Sequence, residues 1–239
     1  MHSPPAQPLV VLVPLKPLAL AKGRLAAALG RERRRQLVAA MLAHVLDAVR
    51  ASCVPGHVVV VAGDGEAAAL ARALGVEVLA ESEGWRVEVG AGDVGFPAGP
   101  EEASPAREVV ESPLNRALSD ALAWADASGY EAALILPADL PRVTPQDVDY
   151  LWREADAVAG PVIVLAPDAQ EEGTNALLLR PPQAIPPSFG RGSFRRHVAL
   201  ARSEGVPVRV CRAAGLLYDV DEPGDLDVWH VAGTMHEET

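Results

Sequence analysis

The stretch "VVLVPLKPLALAKGRL", Val10 to Leu25, decides the fold, because its first six residues are apolar without alternation. A strand apolar on successive positions is buried on both faces, as in parallel sheets covered by helices. Beyond that run come Lys16, Lys22 and Arg24, with no acid among them. Pro14 and Pro17 predict an extended or turned loop that carries these cations over the strand end. Ligands of open parallel sheets bind outside the carboxyl ends of the strands. A basic loop at that place points to an anion, and Lys and Arg are the side chains that hold phosphate. The competing reading is a solvated basic loop ahead of a helix.

The same texture recurs along the chain in "HVVVVAG", "VEVLAE", "AALILPAD", "PVIVLAP", "NALLLRP" and "VPVRVCR". Helical patterns lie between the runs, at about 32–51, 66–74, 114–128 and 144–155, the last entered through Thr144-Pro145. In the first, Leu37, Val38, Met41, Leu42, Val45, Leu46 and Val49 form one apolar stripe, which is core. Strands alternating with helices predict a single α/β domain over 1–239, with a mainly parallel sheet flanked by helices. Residues 81–112, rich in Gly, Pro and Glu, read as an inserted loop with a short hairpin near "WRVEV".

Acids outnumber bases 32 to 21, a formal net charge of -11, in a chain of 239 residues that is 49% hydrophobic. Such a balance argues against nucleic-acid and anionic-membrane surfaces, which need a basic footprint. Two cysteines, Cys53 and Cys211, make neither a disulfide framework nor a metal spacing, and fit a reducing cytoplasm. The start "MHSPPAQP" does not read as a signal peptide, and no segment is apolar for long enough to span a membrane.

Two glycine patterns are discounted. "GAGDVG" (90–95) is followed by "FPAGPEE", which cannot open the helix that a dinucleotide fingerprint requires. "GDGEAA" (63–68) sits between strand and helix, but Asp64 and Glu66 would stand where a pyrophosphate must sit. It reads instead as an acidic turn capping a helix. There is no Walker-type phosphate loop.

Chemistry is expected at the remaining strand ends. Asp139 follows "ALILPA" and is suited to Mg2+, which takes hard oxygen ligands. "YDVDEPGDL" supplies Asp219 and Asp221, alternate residues of an extended segment that project to one side. "EEGTNALLL" brings Thr174 into a strand. "SFGRGSFRRH" offers Gly190, Gly192 and Ser193 with Arg191, Arg195 and Arg196 just before a helix, the makings of an anion site. The alternatives are turn-capping acids and an ordinary loop.

Taken in order, "PLKPLALAKGRLA", "RRRQLVAAML", "LNRALSDAL", "LILPADLP", "GTNALLL", "FGRGSFRRH" and "YDVDEPGDL" resemble the CofC/FbiD family of guanylyltransferases over nearly the whole chain. The resemblance implies a fold like that of the nucleotide-diphosphosugar transferases, a Rossmann-like GT-A arrangement, and a homodimer in the cytoplasm. It makes Lys16, Lys22 and Arg24 the site of the GTP triphosphate, with Pro14, Asn115 and Ser119 lining the nucleotide pocket. Asp139 and Asp219, with Asp221 as a further candidate, become Mg2+ ligands. Thr174, Gly190 and Ser193 match the positions that hold phosphoenolpyruvate or 2-phospho-L-lactate. The implied product passes to a downstream deazaflavin transferase in coenzyme F420 biosynthesis. Here the 81–112 segment is longer than is usual in the family, and Pro113 stands where Gly commonly precedes Leu-Asn. The rivals are a molybdopterin-type or sugar-1-phosphate nucleotidyltransferase of the same fold and a non-catalytic nucleotide-binding protein.

Overall fold

Strands β1 (Leu9–Leu15), β2 (Gly56–Ala62), β3 (Glu77–Ala80), β4 (Ala132–Ile135), β5 (Val162–Pro167), β6 (Thr174–Arg180) and β7 (Val208–Val210) form one sheet in the order β3-β2-β1-β4-β6-β5-β7. The computed structural model describes residues 8–54, 56–80, 112–220 and 223–225. The proposed hairpin near "WRVEV", the "GAGDVG" pattern and Asp221 lie outside them. Each apolar run expected to be a strand is one. Every neighbouring pair is parallel except those of β6, which runs antiparallel to both β4 and β5.

The uninterrupted apolar run of β1 is explained by helices on both sides. Leu9, Val11, Val13 and Leu15 enter a core with helices α1 (Arg31–Ala51), α2 (Gly65–Ala73) and α4 (Pro145–Asp156). Val10 and Leu12 enter a second core with α3 (Pro113–Ala127) and α5 (Ser193–Ser203). Removing each such side chain from water contributes about 1.5–3 kcal/mol, so β1, an interior strand of the sheet, ties both cores together.

Helix starts are written in side chains. Thr144 and Asp147 form a reciprocal capping box at α4. The Asp64 carboxylate accepts from Ala67 N at 2.7 Å, so the acidic turn is a cap for α2. Ser112, the end of the expected insert, caps α3 and is followed by Pro113 in the first turn, where the missing N–H costs no hydrogen bond.

The apolar run is strand to its end at Leu15, so Pro14, read also as part of the loop that follows, lies within β1. The Leu12 carbonyl accepts from Leu136 and that of Leu15 from Gly63, so alternate residues of β1 face alternate neighbours. Pro14 therefore faces the β4 side, where pairing ends at Leu12 with Ile135. Its missing donor has no strand to serve there.

The chain builds β1, β2 and β3 outward and then returns to set β4 on the other side of β1. This reversal is a topological switch point, and the carboxyl edge between β1 and β4 is where open α/β sheets form their ligand crevice. Because β6 runs backwards, its first residue, Thr174, lies on that same edge. Among the described residues no helix is long and apolar enough to cross a membrane.

Candidate active site

The loop after β1 turns tightly, with Leu20 N and Ala21 N both donating to the Pro17 carbonyl at 2.9 Å. Lys22 then takes the left-handed conformation, φ 56 and ψ 38, before the 3-10 helix Gly23–Ala27, which is anchored by the fully buried Leu25. A side-chain-bearing residue there is strained by roughly 1 kcal/mol or more. The contact that accompanies the strain is an ion pair: Lys22 Nζ donates to Asp139 Oδ2 at 2.7 Å. The Lys22 side chain is only 8% exposed, against 28% for Asp139. Thus the ammonium is mostly sheltered from water while the carboxylate is partly exposed at the strand edge.

The main-chain carbonyl of Asp139 accepts from Val220 N at 3.1 Å, which brings the segment carrying Asp219 alongside. Two acids distant in sequence share one end of the sheet. Among the described residues no cluster of three or more His, Cys, Asp or Glu could hold a metal ion. Two carboxylates do fit Mg2+, which keeps waters and substrate phosphates in its shell, and fit poorly the closed nitrogen and sulfur sites of zinc. Lys16 is exposed at the end of β1. Arg24 lies in the 3-10 helix, and its side chain is outside the described atoms. Arg142 stacks over the Tyr218 ring at 5.8 Å, a cation and an aromatic flanking Asp139 and Asp219 that sequence reasoning did not single out.

A second cluster stands beside the first. Ile135 of β4 pairs with Leu177 of β6. Carried three residues on, that register sets Thr174 level with Ala138, next to Asp139. The β5–β6 turn is held by Asp168, whose carboxylate accepts from the backbone N–H of Gln170, Glu172 and Gly173 at 3.1, 2.9 and 2.7 Å. Thr174 Oγ1 lies 3.1 Å from Ser193 Oγ and 3.0 Å from His197 Nδ1, while His197 Nε2 accepts from Ser188 N at 2.9 Å. Burial, then the charge of Arg196, pushes the His197 pKa down to about 3.

The loop between Ser188 and Ser193 is gripped from two sides. Phe189 N donates to Asn115 Oδ1 at 2.8 Å, and Asn115 Nδ2 donates to the Phe189 carbonyl at 3.2 Å. Arg196 donates to Ser188 Oγ and to the Ser188 carbonyl, both at 3.1 Å, and to the Arg191 carbonyl. Gly190, at φ 122, and Gly192, at φ 71, supply backbone angles that other residues resist. Asn115, expected to line the nucleotide pocket, is thus fully buried and braces this loop. Ser119 is exposed, with its hydroxyl bonded back to the Asn115 carbonyl at 2.9 Å. His197 was missed by sequence reasoning, although its position four residues after Ser193 places both on one face of α5.

The profile of the CofC-like guanylyl transferase family matches residues 9–88 and 101–238. A phosphoenolpyruvate guanylyltransferase of Sphaerobacter thermophilus is 38% identical over 219 residues, covering 91% of this chain and 90% of its own. One of Rubrobacter xylanophilus is 40% identical over 215 residues, covering 90% of each chain. Among solved structures, one described as a nucleotide-diphospho-sugar transferase of Desulfovibrio desulfuricans G20 superposes with a TM-score of 0.66 at 16% identity, over 93% of this chain and 86% of that one. That likeness speaks to the fold alone.

Proposed function

The chain belongs to the CofC-like guanylyl transferase family, and from that premise we propose that it transfers GMP from GTP to the phosphate of phosphoenolpyruvate, releasing pyrophosphate. The observation that carries this reading is the sheltered Lys22 ammonium paired with Asp139 at the switch-point crevice, beside the Thr174–Ser193 hydroxyls. The relatives' names supply the acid.

In this reaction a phosphate oxygen of the acid attacks the α-phosphorus of GTP in line. A phosphoanhydride bond forms, the bond to the β-phosphate breaks, and pyrophosphate leaves with the electron pair. A phosphate monoester, with a second pKa near ~6, is largely ionised at neutral pH, so the chain need supply no general base. The obstacle is bringing two polyanions together. Lys22, Lys16 and Arg24 would hold the triphosphate as cations, while Thr174, Ser193 and the Gly190 backbone would hold the acid. Asp139 and Asp219 would bind Mg2+, whose charge offsets that of the phosphates. Displacing Lys22 from Asp139 as substrates enter would free both groups for these roles. The guanylylated acid would then serve a downstream transferase with a deazaflavin acceptor, the F420 branch that the family resemblance implies.

Pyrophosphate release by purified protein with Mg2+ and GTP tests the reading, run with phosphoenolpyruvate, 2-phospho-L-lactate and no acid, and with the product trapped by the downstream transferase. Release that depends on phosphoenolpyruvate is expected. Release only with 2-phospho-L-lactate would correct the acid, and none with either would point to another acceptor on the same fold.

A further inference from the structure

Resting on that reading of the acid site, we propose that His197, buried and out of reach of either substrate, is a positioning residue that leaves one hydroxyl proton of the Thr174–Ser193 pair directed at the acid.

The inference comes from counting protons. Ser188 N–H can only donate, so His197 Nε2, 2.9 Å away, must present its lone pair. The imidazole is therefore neutral and carries its proton on Nδ1. That N–H donates to Thr174 Oγ1 at 3.0 Å. Thr174 and Ser193 bring two hydroxyl protons, and one is consumed in the 3.1 Å bond between them. Whichever way that bond runs, the other proton has no acceptor among the described residues. Ser193 and Thr174 are 1% and 6% exposed, so little water competes for it. A hydroxyl pair held in this way is a fixed donor for one anionic oxygen. The opposite tautomer would set a proton against Ser188 N–H and take a proton from Thr174 instead, turning the pair toward the ring. Charge on the imidazole is disfavoured as well, by its burial and by Arg196 nearby.

Two substitutions separate this role from mere packing. His197→Asn can place an amide N–H where Nδ1 was and keep the donor to Thr174. His197→Gln can place its carbonyl where Nε2 was and keep the acceptor for Ser188 while losing that donor. Each loses one buried hydrogen bond, so a structural role would affect both alike. The expected result is a KM for phosphoenolpyruvate raised at least ~10-fold in His197→Gln but held within ~3-fold in His197→Asn, the worth of one hydrogen bond to a charged group. The KM for GTP is expected to be unchanged in both. Nitrogen-15 NMR of the wild-type protein should show a neutral Nδ1–H ring between about pH 5 and pH 8, where a free imidazole titrates. Equal effects in the two folded variants, or an Nε2–H ring, would overturn the proposal. Should the wild-type protein not turn over, Kd for phosphoenolpyruvate replaces KM. The same order would keep the proposal while sinking the reaction, and absence of binding would sink both.

Discussion

At the scale of single residues, the proposed mechanism leans most on Lys22, strained in its backbone and with a side chain only 8% exposed. A left-handed lysine could be relieved by glycine, yet here the side chain reaches Asp139 at 2.7 Å. Lys22→Ala and Asp139→Asn are each expected to lower turnover at least ~100-fold, the loss typical of one preorganised electrostatic group. Steady-state rates of purified variants with native circular dichroism check this, and near-normal turnover would remove that residue from the mechanism. His197 makes a prediction of the opposite kind, about stability. Its folded pKa, about 3, lies below the ordinary value of 6.5. Between those values the unfolded chain binds a proton that the folded one refuses, so stability is full above about pH 6.5 and falls as the pH drops toward about 3. The slope from this group approaches ~1.4 kcal/mol per pH unit. Urea unfolding at about pH 7.5 and pH 5 should show that loss in the wild type and a smaller one in His197→Gln. Equal slopes would mean that the ring titrates normally.

At the scale of elements, the loop between Ser188 and Ser193 is where the sequence said least. Its glycines signalled a special backbone, but nothing in "LNRALSDAL" showed that Asn115 would hold Phe189 by both polar atoms of its side-chain amide. A polar side chain on the buried face of a helix was the available signal. Asn115→Ala would strand a buried N–H and C=O on Phe189, at a cost of about 1–3 kcal/mol per group. The expected outcome is a melting temperature lowered by several degrees, together with a raised KM for the acid, since α3 would no longer brace the loop. If the KM for GTP alone rises and melting is unchanged, Asn115 is a nucleotide-pocket residue as the family resemblance implies. The strands were far more legible, because each is an apolar run between breakers. The direction of β6 was not, since "NALLLRP" reads as a buried strand either way. Only the short connection from Pro167 to Thr174 told of reversal, parallel neighbours needing a crossover of roughly a dozen residues. Thr174 reaches the carboxyl edge for that reason, and with it the proposed acid site.

At the scale of the whole molecule, the proposed reaction would have a chain of net charge -11 admit two polyanions to one crevice. Two fields act on an approaching substrate. The long-range field of the chain repels it, and in the proposed site the near field of Lys22, Lys16 and Arg24 would attract it. They differ in range, so salt separates them. The Debye length is ~30 Å at 0.01 M and ~10 Å at 0.1 M. The first increments of salt therefore screen the distant repulsion while leaving contacts of a few ångströms largely intact. Above that, toward 1 M and a Debye length of ~3 Å, the attraction is screened too. The kcat/KM for GTP is expected to pass through a maximum near ~0.1 M salt at fixed free Mg2+. Lys16→Ala, which removes an exposed cation at the end of β1, should lower the curve most on its high-affinity side and shift the maximum to higher salt. Initial rates over a potassium chloride series decide it. A monotonic fall from the lowest salt would mean that the basic loop governs approach at every distance, and that the acidic surface lies on faces the substrates never meet.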